Sequence, residues 1–274
     1  MSVEFQLETI KICNTEIEML TGGSGKSLLV LHGPDGSLGW LNYAKSLAEK
    51  YKIYIPSHPG FGNSNRPEWI QSIQDMACFY TWFIEEIGLQ QCNVLGFSIG
   101  GWIAAEILSI APSTFNKVIL TSSAGIKPKN SDITDIFLLS PNQIAESSFK
   151  DISQAPEYTK VYGNTEAPSG TYYITGSTGG YDPQFIADKN RETAVRLCWK
   201  PYMFDPKLPA ILNRVKNPVQ IIWGENDSII PQECGEIFAQ SIPNSTLNII
   251  KNCGHMPHIE KTTEFTSIVT SFLE

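Results

Sequence analysis

One stretch restricts the fold more than any other. A short apolar run, Cys92-Asn93-Val94-Leu95, passes through Gly96-Phe97-Ser98-Ile99-Gly100-Gly101 into an apolar, alanine-containing helical pattern. G-x-S-x-G between a strand pattern and a helix pattern is the sequence form of a nucleophile elbow. A strand that turns sharply into a helix forces the central residue into strained backbone and brings main chains close together. The flanking glycines answer that crowding by having no Cβ. The turn would hold the Ser98 hydroxyl at the tip of a sheet, at the positive end of the following helix, where developing negative charge is favoured.

The chain around it has the rhythm such a turn requires. Residues 3 to 20 alternate loosely in two runs broken near Asn14, which predicts an opening antiparallel hairpin. Leu28-Leu29-Val30-Leu31 and Lys52-Ile53-Tyr54-Ile55-Pro56 read as strands, and residues 39 to 51 and 70 to 88 as amphipathic helices. The elbow strand and its helix follow, then Val118-Ile119-Leu120-Thr121, Val219-Gln220-Ile221-Ile222-Trp223 and Leu247-Asn248-Ile249-Ile250, with helices predicted over 231 to 240 and 259 to 273. Short β-branched runs alternating with helices imply an α/β fold, a mostly parallel central sheet flanked by helices. Gly25-Lys26-Ser27 does not make a phosphate loop. The first glycine of that motif would fall on Leu20, and a strand follows where a helix is needed.

From about Ala124 to Pro206 the alternation stops. Gly, Ser, Thr and Asn become dense, and aromatics including Phe137, Tyr158, Tyr162, Tyr172, Tyr173, Tyr181, Trp199 and Tyr202 are frequent. A structureless loop of that length is improbable, so the segment reads as a mainly helical insertion, with residues 132 to 150 and 189 to 200 as its helices. The expected division is a core of 1–125 plus 206–274 and a cap of 126–205. The cap aromatics suit an apolar substrate pocket and the cap's own core equally.

Composition narrows the partners. The chain's 274 residues suffice for one large domain with an insertion, and 42% hydrophobic with 18% charged residues is ordinary for a globular protein. A net charge of -8 argues against nucleic acid and anionic membrane surfaces. No stretch has the length of apolar sequence a membrane span needs, and the N-terminus lacks a secretion pattern, so a cytoplasmic protein is expected. Six scattered cysteines without metal spacing read as reduced thiols. A small-molecule substrate, no cofactor and a monomer or homodimer complete these expectations.

A serine hydroxyl needs a base within hydrogen-bond reach, and that imidazole needs a carboxylate to fix its tautomer. Of four histidines, His255 alone lies in a loop directly after a late strand, and Asp227 alone in the loop directly after the strand before it. His258 is the rival base, its place at the start of the last helix favouring packing; Glu225 and Asp182 are weaker acids. His32, in His32-Gly33-Pro34-Asp35-Gly36, reads as a structural hydrogen-bonder under its loop. Pro34 has no N–H, so if this loop donates to an oxyanion, the donor is Asp35 or a neighbour.

With these residues the chain closely resembles the α/β-hydrolase superfamily. The likeness rests on the His32-Gly33 loop, Pro59-Gly60-Phe61-Gly62, Gly96-Phe97-Ser98-Ile99-Gly100-Gly101, Trp223-Gly224-Glu225-Asn226-Asp227 and Gly254-His255-Met256-Pro257. The resemblance implies an α/β-hydrolase fold, Ser98 as nucleophile, His255 as base, Asp227 as its orienting acid and the Ile99 N–H as one oxyanion donor, with no metal or organic cofactor. Phe97, Trp199 and Met256 are the candidate substrate contacts. Serine at the elbow sets aside relatives that use Asp there, the haloalkane and epoxide hydrolases. Carboxylic ester hydrolysis of small to medium apolar substrates is the expected activity. C–C hydrolases of ring-cleavage products usually carry Trp where this chain has Met256, and a non-catalytic binder would be expected to have lost a member of the triad.

Overall fold

The computed structural model describes residues 4–162 and 183–274. Its first two strands, β1 (Phe5–Ile12) and β2 (Thr15–Gly22), form the expected hairpin. The two turn residues, Cys13 and Asn14, have φ of 45° and 65°. Two left-handed residues in a two-residue loop match the twist of the flanking strands. Six further strands follow: β3 (Lys26–Leu31), β4 (Tyr51–Pro56), β5 (Cys92–Phe97), β6 (Phe115–Thr121), β7 (Val219–Gly224) and β8 (Ser245–Ile250). They assemble as one sheet in the order β1-β2-β4-β3-β5-β6-β7-β8, antiparallel at β1/β2 and β2/β4 and parallel elsewhere. After β3 the chain adds β4 on one side and then returns to add β5 on the other. The crevice beyond the carboxyl ends of β3 and β5 is therefore the switch point where ligands bind in open α/β sheets.

The helices are α1 (Asn42–Leu47), α2 (Ile73–Glu86), α3 (Ile99–Ile110), α4 (Pro141–Ser147), α5 (Tyr158–Tyr162), α6 (Pro183–Cys198), α7 (Leu208–Leu212), α8 (Gln232–Ser241), α9 (Pro257–Glu260) and α10 (Thr262–Leu273). Alternate residues of the central strands feed two cores, one on each face of the sheet. Leu29, Leu31, Val94, Ile221 and Trp223 pack with α2, α3 and α8, while Leu28, Val30, Leu95, Ile119 and Ile222 pack with α1 and α10. Burial on both faces is why these strands are apolar throughout instead of alternating. Each fully buried aliphatic or aromatic side chain contributes about 1.5–3 kcal/mol.

Two helical expectations are corrected. The amphipathic pattern over 39 to 51 yields regular helix only over α1, because Gly39 is in the left-handed region at φ 85° and delays entry. The pattern over 132 to 150 yields only α4. Upstream, the Asp135 carboxylate accepts from the Phe137 N–H in a local turn, and Ser140 with Gln143 forms a capping box that starts the helix at Pro141. In the other segment α6 begins earlier than expected and ends at Cys198. Between β6 and β7 the described residues add no strand to the central sheet. They supply isolated bridges, Gly125 to Phe204 and Trp199 to Tyr202. Tyr172, Tyr173, Tyr181 and Asp182 lie outside the described residues.

Candidate active site

Ser98 occupies the turn from β5 into α3 with φ 50° and ψ -115°. A non-glycine residue there carries strain of about 1–3 kcal/mol, which persists only where the surroundings over-determine it. They do so here: the Ser98 N–H donates to Thr121 O at 3.0 Å, and its carbonyl accepts from the N–H groups of Gly101, Trp102 and Ala124. The close approach explains the glycines. A Cβ on Gly96 would lie 2.5 Å from Gly100 O and 2.6 Å from Gly101 Cα, backbone that cannot move independently. The Ser98 hydroxyl is buried and hydrogen-bonds to no described group. Beside it, Ile99 is the first residue of α3, where backbone N–H groups lack intrahelical acceptors.

Asp227 and His255 meet from adjacent strand ends. The Asp227 loop after β7 folds back through Asp227 N–H to Gly224 O, and Asn226 N–H to Cys253 O ties it to the loop after β8. The Asp227 carboxylate is fully buried and bridges three donors. One oxygen accepts from the N–H groups of Ile229 and Ile230, both at 2.9 Å, and the other from His255 Nδ1 at 2.8 Å. A carboxylate on Nδ1 fixes the proton there and leaves Nε2 as the imidazole's acceptor. His255 and Ser98 line one narrow cavity of about 50 Å³.

His258 lines the same cavity and is buried. Its ring lies over Phe97 with centroids 4.1 Å apart and meets the edge of Tyr43 at 5.2 Å. Burial first, then the proximity of His255, pushes its pKa down to about 3. With the Asp227 carboxylate committed to His255, His258 is a neutral packing residue. His32 is a structural hydrogen-bonder, as expected. Its Nδ1 donates to Gly33 O at 2.7 Å and its Nε2 accepts the His58 N–H at 2.9 Å, while burial lowers its pKa to about 4.

The loop after β3 brings Asp35 to the cavity. It is held from α6 by Asn190, whose Nδ2 donates to Asp35 O and whose Oδ1 accepts from the Gly62 N–H, both at 2.8 Å. Sequence reasoning missed Asn190, since a single amide on a helix face carries no signal of loops far away in the chain. It also reached Asp35 only for its N–H, whereas the Asp35 side chain stands at the cavity as well. Burial pushes that carboxyl up to about 6, against the lowering influence of His255, of a hydrogen bond from Tyr162 and of Arg191.

Of the three candidate substrate contacts, Phe97 and Met256 line the cavity and Trp199 does not. Trp199 follows the end of α6, is 51% exposed, and packs against Phe137 and Tyr202. A wider chamber of about 500 Å³ adjoins the narrow cavity, sharing Pro34, Asp35, Ile136 and Ile144 with it and walled on the far side by α6. Among the described residues, no group of three or more His, Cys, Asp or Glu side chains could hold a metal ion, and no helix is long and apolar enough to cross a membrane.

Comparison with known proteins agrees with this architecture. The family model of the alpha/beta hydrolase fold matches residues 26–143 and 164–262. The dihydrolipoyllysine-residue acetyltransferase component of the acetoin cleaving system of Cupriavidus necator is 27% identical over 92% of this chain, which spans 64% of that relative's length. A pimeloyl-[acyl-carrier protein] methyl ester esterase of Aeromonas salmonicida is 25% identical over 92% of this chain and 96% of its own. The solved structure of 2-hydroxy-6-oxo-6-phenylhexa-2,4-dienoate hydrolase from Rhodococcus sp. strain RHA1 superposes with a TM-score of 0.79 at 18% identity, covering 99% of both chains.

Proposed function

Because this chain belongs to the alpha/beta hydrolase fold family, we propose that it is a serine hydrolase acting on carboxylic esters of small to medium apolar substrates. The observation that carries this reading is the Asp227–His255 pair at 2.8 Å, sharing a cavity with a serine whose backbone is strained at φ 50°. Ser98 Oγ attacks the ester carbonyl carbon as His255 Nε2 takes its proton, and Asp227 stabilises the imidazolium that results. The tetrahedral oxyanion is received by the Ile99 N–H and by the Asp35 N–H. Collapse breaks the carbon–oxygen bond, the departing alcohol taking the proton from His255. Water then attacks the acyl-enzyme by the same route, releasing the acid and restoring Ser98.

Residues 126–205 serve in this reading as a cap over the core of 1–125 and 206–274. Its support is that Ile136 and Ile144 line the cavity holding Ser98. Cleavage of a carbon–carbon bond next to a ketone is the second reading, favoured by a 2-hydroxymuconate semialdehyde hydrolase of Pseudomonas sp. strain CF600 that is 25% identical over 92% of this chain and 88% of its own.

A fluorophosphonate, which forms the tetrahedral adduct, tests the assignment together with chromogenic esters of increasing acyl length and a ring-cleavage dienoate. Labelling of Ser98, and loss of labelling and ester turnover in Ser98→Ala, are expected, with the rate unaffected by chelator. A label on another serine such as Ser122, full turnover by Ser98→Ala, or activity lost to chelator and restored by zinc would overturn it.

A further inference from the structure

Asp35 stands at the junction of the narrow cavity and the wide chamber, lining both. Its carbonyl is held by Asn190, and its carboxyl accepts from Tyr162 of α5 within the electrostatic reach of His255 from the loop after β8 and of Arg191 from α6. Tyr162 is shared, since its hydroxyl lies 2.9 Å from Met256 Sδ. Pro34, Ile136 and Ile144, which share the junction, are apolar and offer the carboxyl no further donor.

The chamber's other charged groups are already engaged. Among the described residues lining it, Arg191 is the cation, and its Nη2 donates to Phe137 O at 2.6 Å and Leu139 O at 3.1 Å. Those carbonyls hold the guanidinium against the wall. Asp188, the other acid there, accepts from Gln184 at 2.9 Å. A substrate reaching from Ser98 into the chamber therefore passes a carboxyl whose side-chain donor, Tyr162, is shared, beside a guanidinium already donating through Nη2 to two backbone carbonyls. A desolvated carboxylate gains from any donor brought to it and repels a second negative charge.

Resting on the ester-hydrolase reading above, we propose that Asp35 is a specificity-determining residue: its carboxyl holds a hydroxyl, amide N–H or ammonium borne by the substrate, and turns away substrates carrying a carboxylate at that point. The raised pKa of about 6 adds a sign to this preference. The carboxyl is charged above that pH and neutral below it, so discrimination is full near pH 8 and fades toward pH 5. His258, the other titratable group of the narrow cavity close to His255, stays neutral throughout this range.

The test compares p-nitrophenyl esters of ε-aminocaproic, heptanoic and adipic acids on the full chain. Ratios taken between esters at one pH cancel whatever is common to the three reactions. The wild-type ammonium-to-carboxylate ratio of kcat/KM should be at least about tenfold at pH 8, the equivalent of one favourable charge contact of about 1.4 kcal/mol. It should shrink toward pH 5 with a midpoint near 6, and Asp35→Asn should bring it within about threefold at every pH. A wild-type ratio that is flat with pH, or one unchanged in Asp35→Asn, overturns the proposal. Binding of the intact esters to Ser98→Ala reads the same preference without chemistry. If no ester is cleaved while Ser98→Ala still prefers the ammonium ester, the hydrolase reading fails and the Asp35 assignment stands. Equal affinity for all three sinks the assignment whatever the turnover.

Discussion

Asp227→Asn should disable the site through geometry alone. One carboxylate oxygen accepts two backbone N–H groups, from Ile229 and Ile230, and the other faces His255 Nδ1. An asparagine has one acceptor to distribute. Turning its amide nitrogen toward the two N–H groups would forfeit two hydrogen bonds worth about 0.5–1.5 kcal/mol each and leave buried donors unmet. The oxygen therefore stays with the backbone, and the amide NH2 faces Nδ1. Nδ1 must then accept, the imidazole proton moves to Nε2, and the nitrogen directed at the cavity can no longer take a proton from Ser98. Catalysis should fall by about 10⁴, roughly 5.5 kcal/mol of barrier, the scale seen when the acid of a serine triad is neutralised. Because all three hydrogen bonds keep a donor and an acceptor, thermal unfolding should move little. The assay is kcat on a chromogenic ester alongside a melting curve. A folded variant that loses less than about tenfold would refute the tautomer mechanism.

Three other perturbations follow from the same structure. Below about pH 6.5 the unfolded chain binds protons that buried His32, His58 and His258 refuse in the fold, so stability should fall as pH drops, by about 3 kcal/mol for His32 alone; urea titrations from pH 7 to 4 check this, and a flat midpoint would contradict it. Glu106, raised to about 7 chiefly by burial and further by Asp205, opposes folding increasingly as pH climbs from about 4.5 through 7. Its Oε1 accepts from Trp102 Nε1 and Gln74, so Glu106→Gln should keep those bonds, stabilise by about 1–3 kcal/mol at pH 8 and do nothing near pH 5, by urea denaturation. In Gly100→Ala the new Cβ would meet the Leu31 carbonyl and lie 2.6 Å from His32 O, so α3 must leave β3; loss of soluble protein, or destabilisation beyond about 3 kcal/mol, is expected in expression and melting trials.

What the sequence disclosed and what it hid divide along a physical line. The elbow, the strand ends at Asp227 and His255, and the two-faced sheet depend on neighbours a few residues apart, so local spacing reveals them. Trp199 is ambiguous in sequence because an aromatic at a helix end reads the same whether it faces a cavity or packs beside one; here its described ring neighbours are Phe137 and Tyr202. The helix expected over 132 to 150 was lost to a local turn at Asp135 and a cap at Ser140, each a short polar signal competing with apolar periodicity. Asn190, which positions the Asp35 loop from 155 residues away, has no local signature.

The charges around Ser98 can be ordered by what each permits. In the proposed reaction His255 must become cationic for the serine to react, and Asp227 would favour that state from within hydrogen-bond distance. A second cation alongside would oppose it. His258 is within range to be that cation, yet it lies between Phe97 and Tyr43, where burial keeps it neutral down to about pH 3. Its packing thus guards the proton-accepting capacity of its neighbour without touching the reacting atoms. Asp35 acts in the opposite sense on the two partners of the reaction, favouring the imidazolium and disfavouring an oxyanion close by. Its backbone N–H and its carboxyl therefore pull against each other in the proposed chemistry, a tension that a donor on the substrate relieves by engaging the carboxyl.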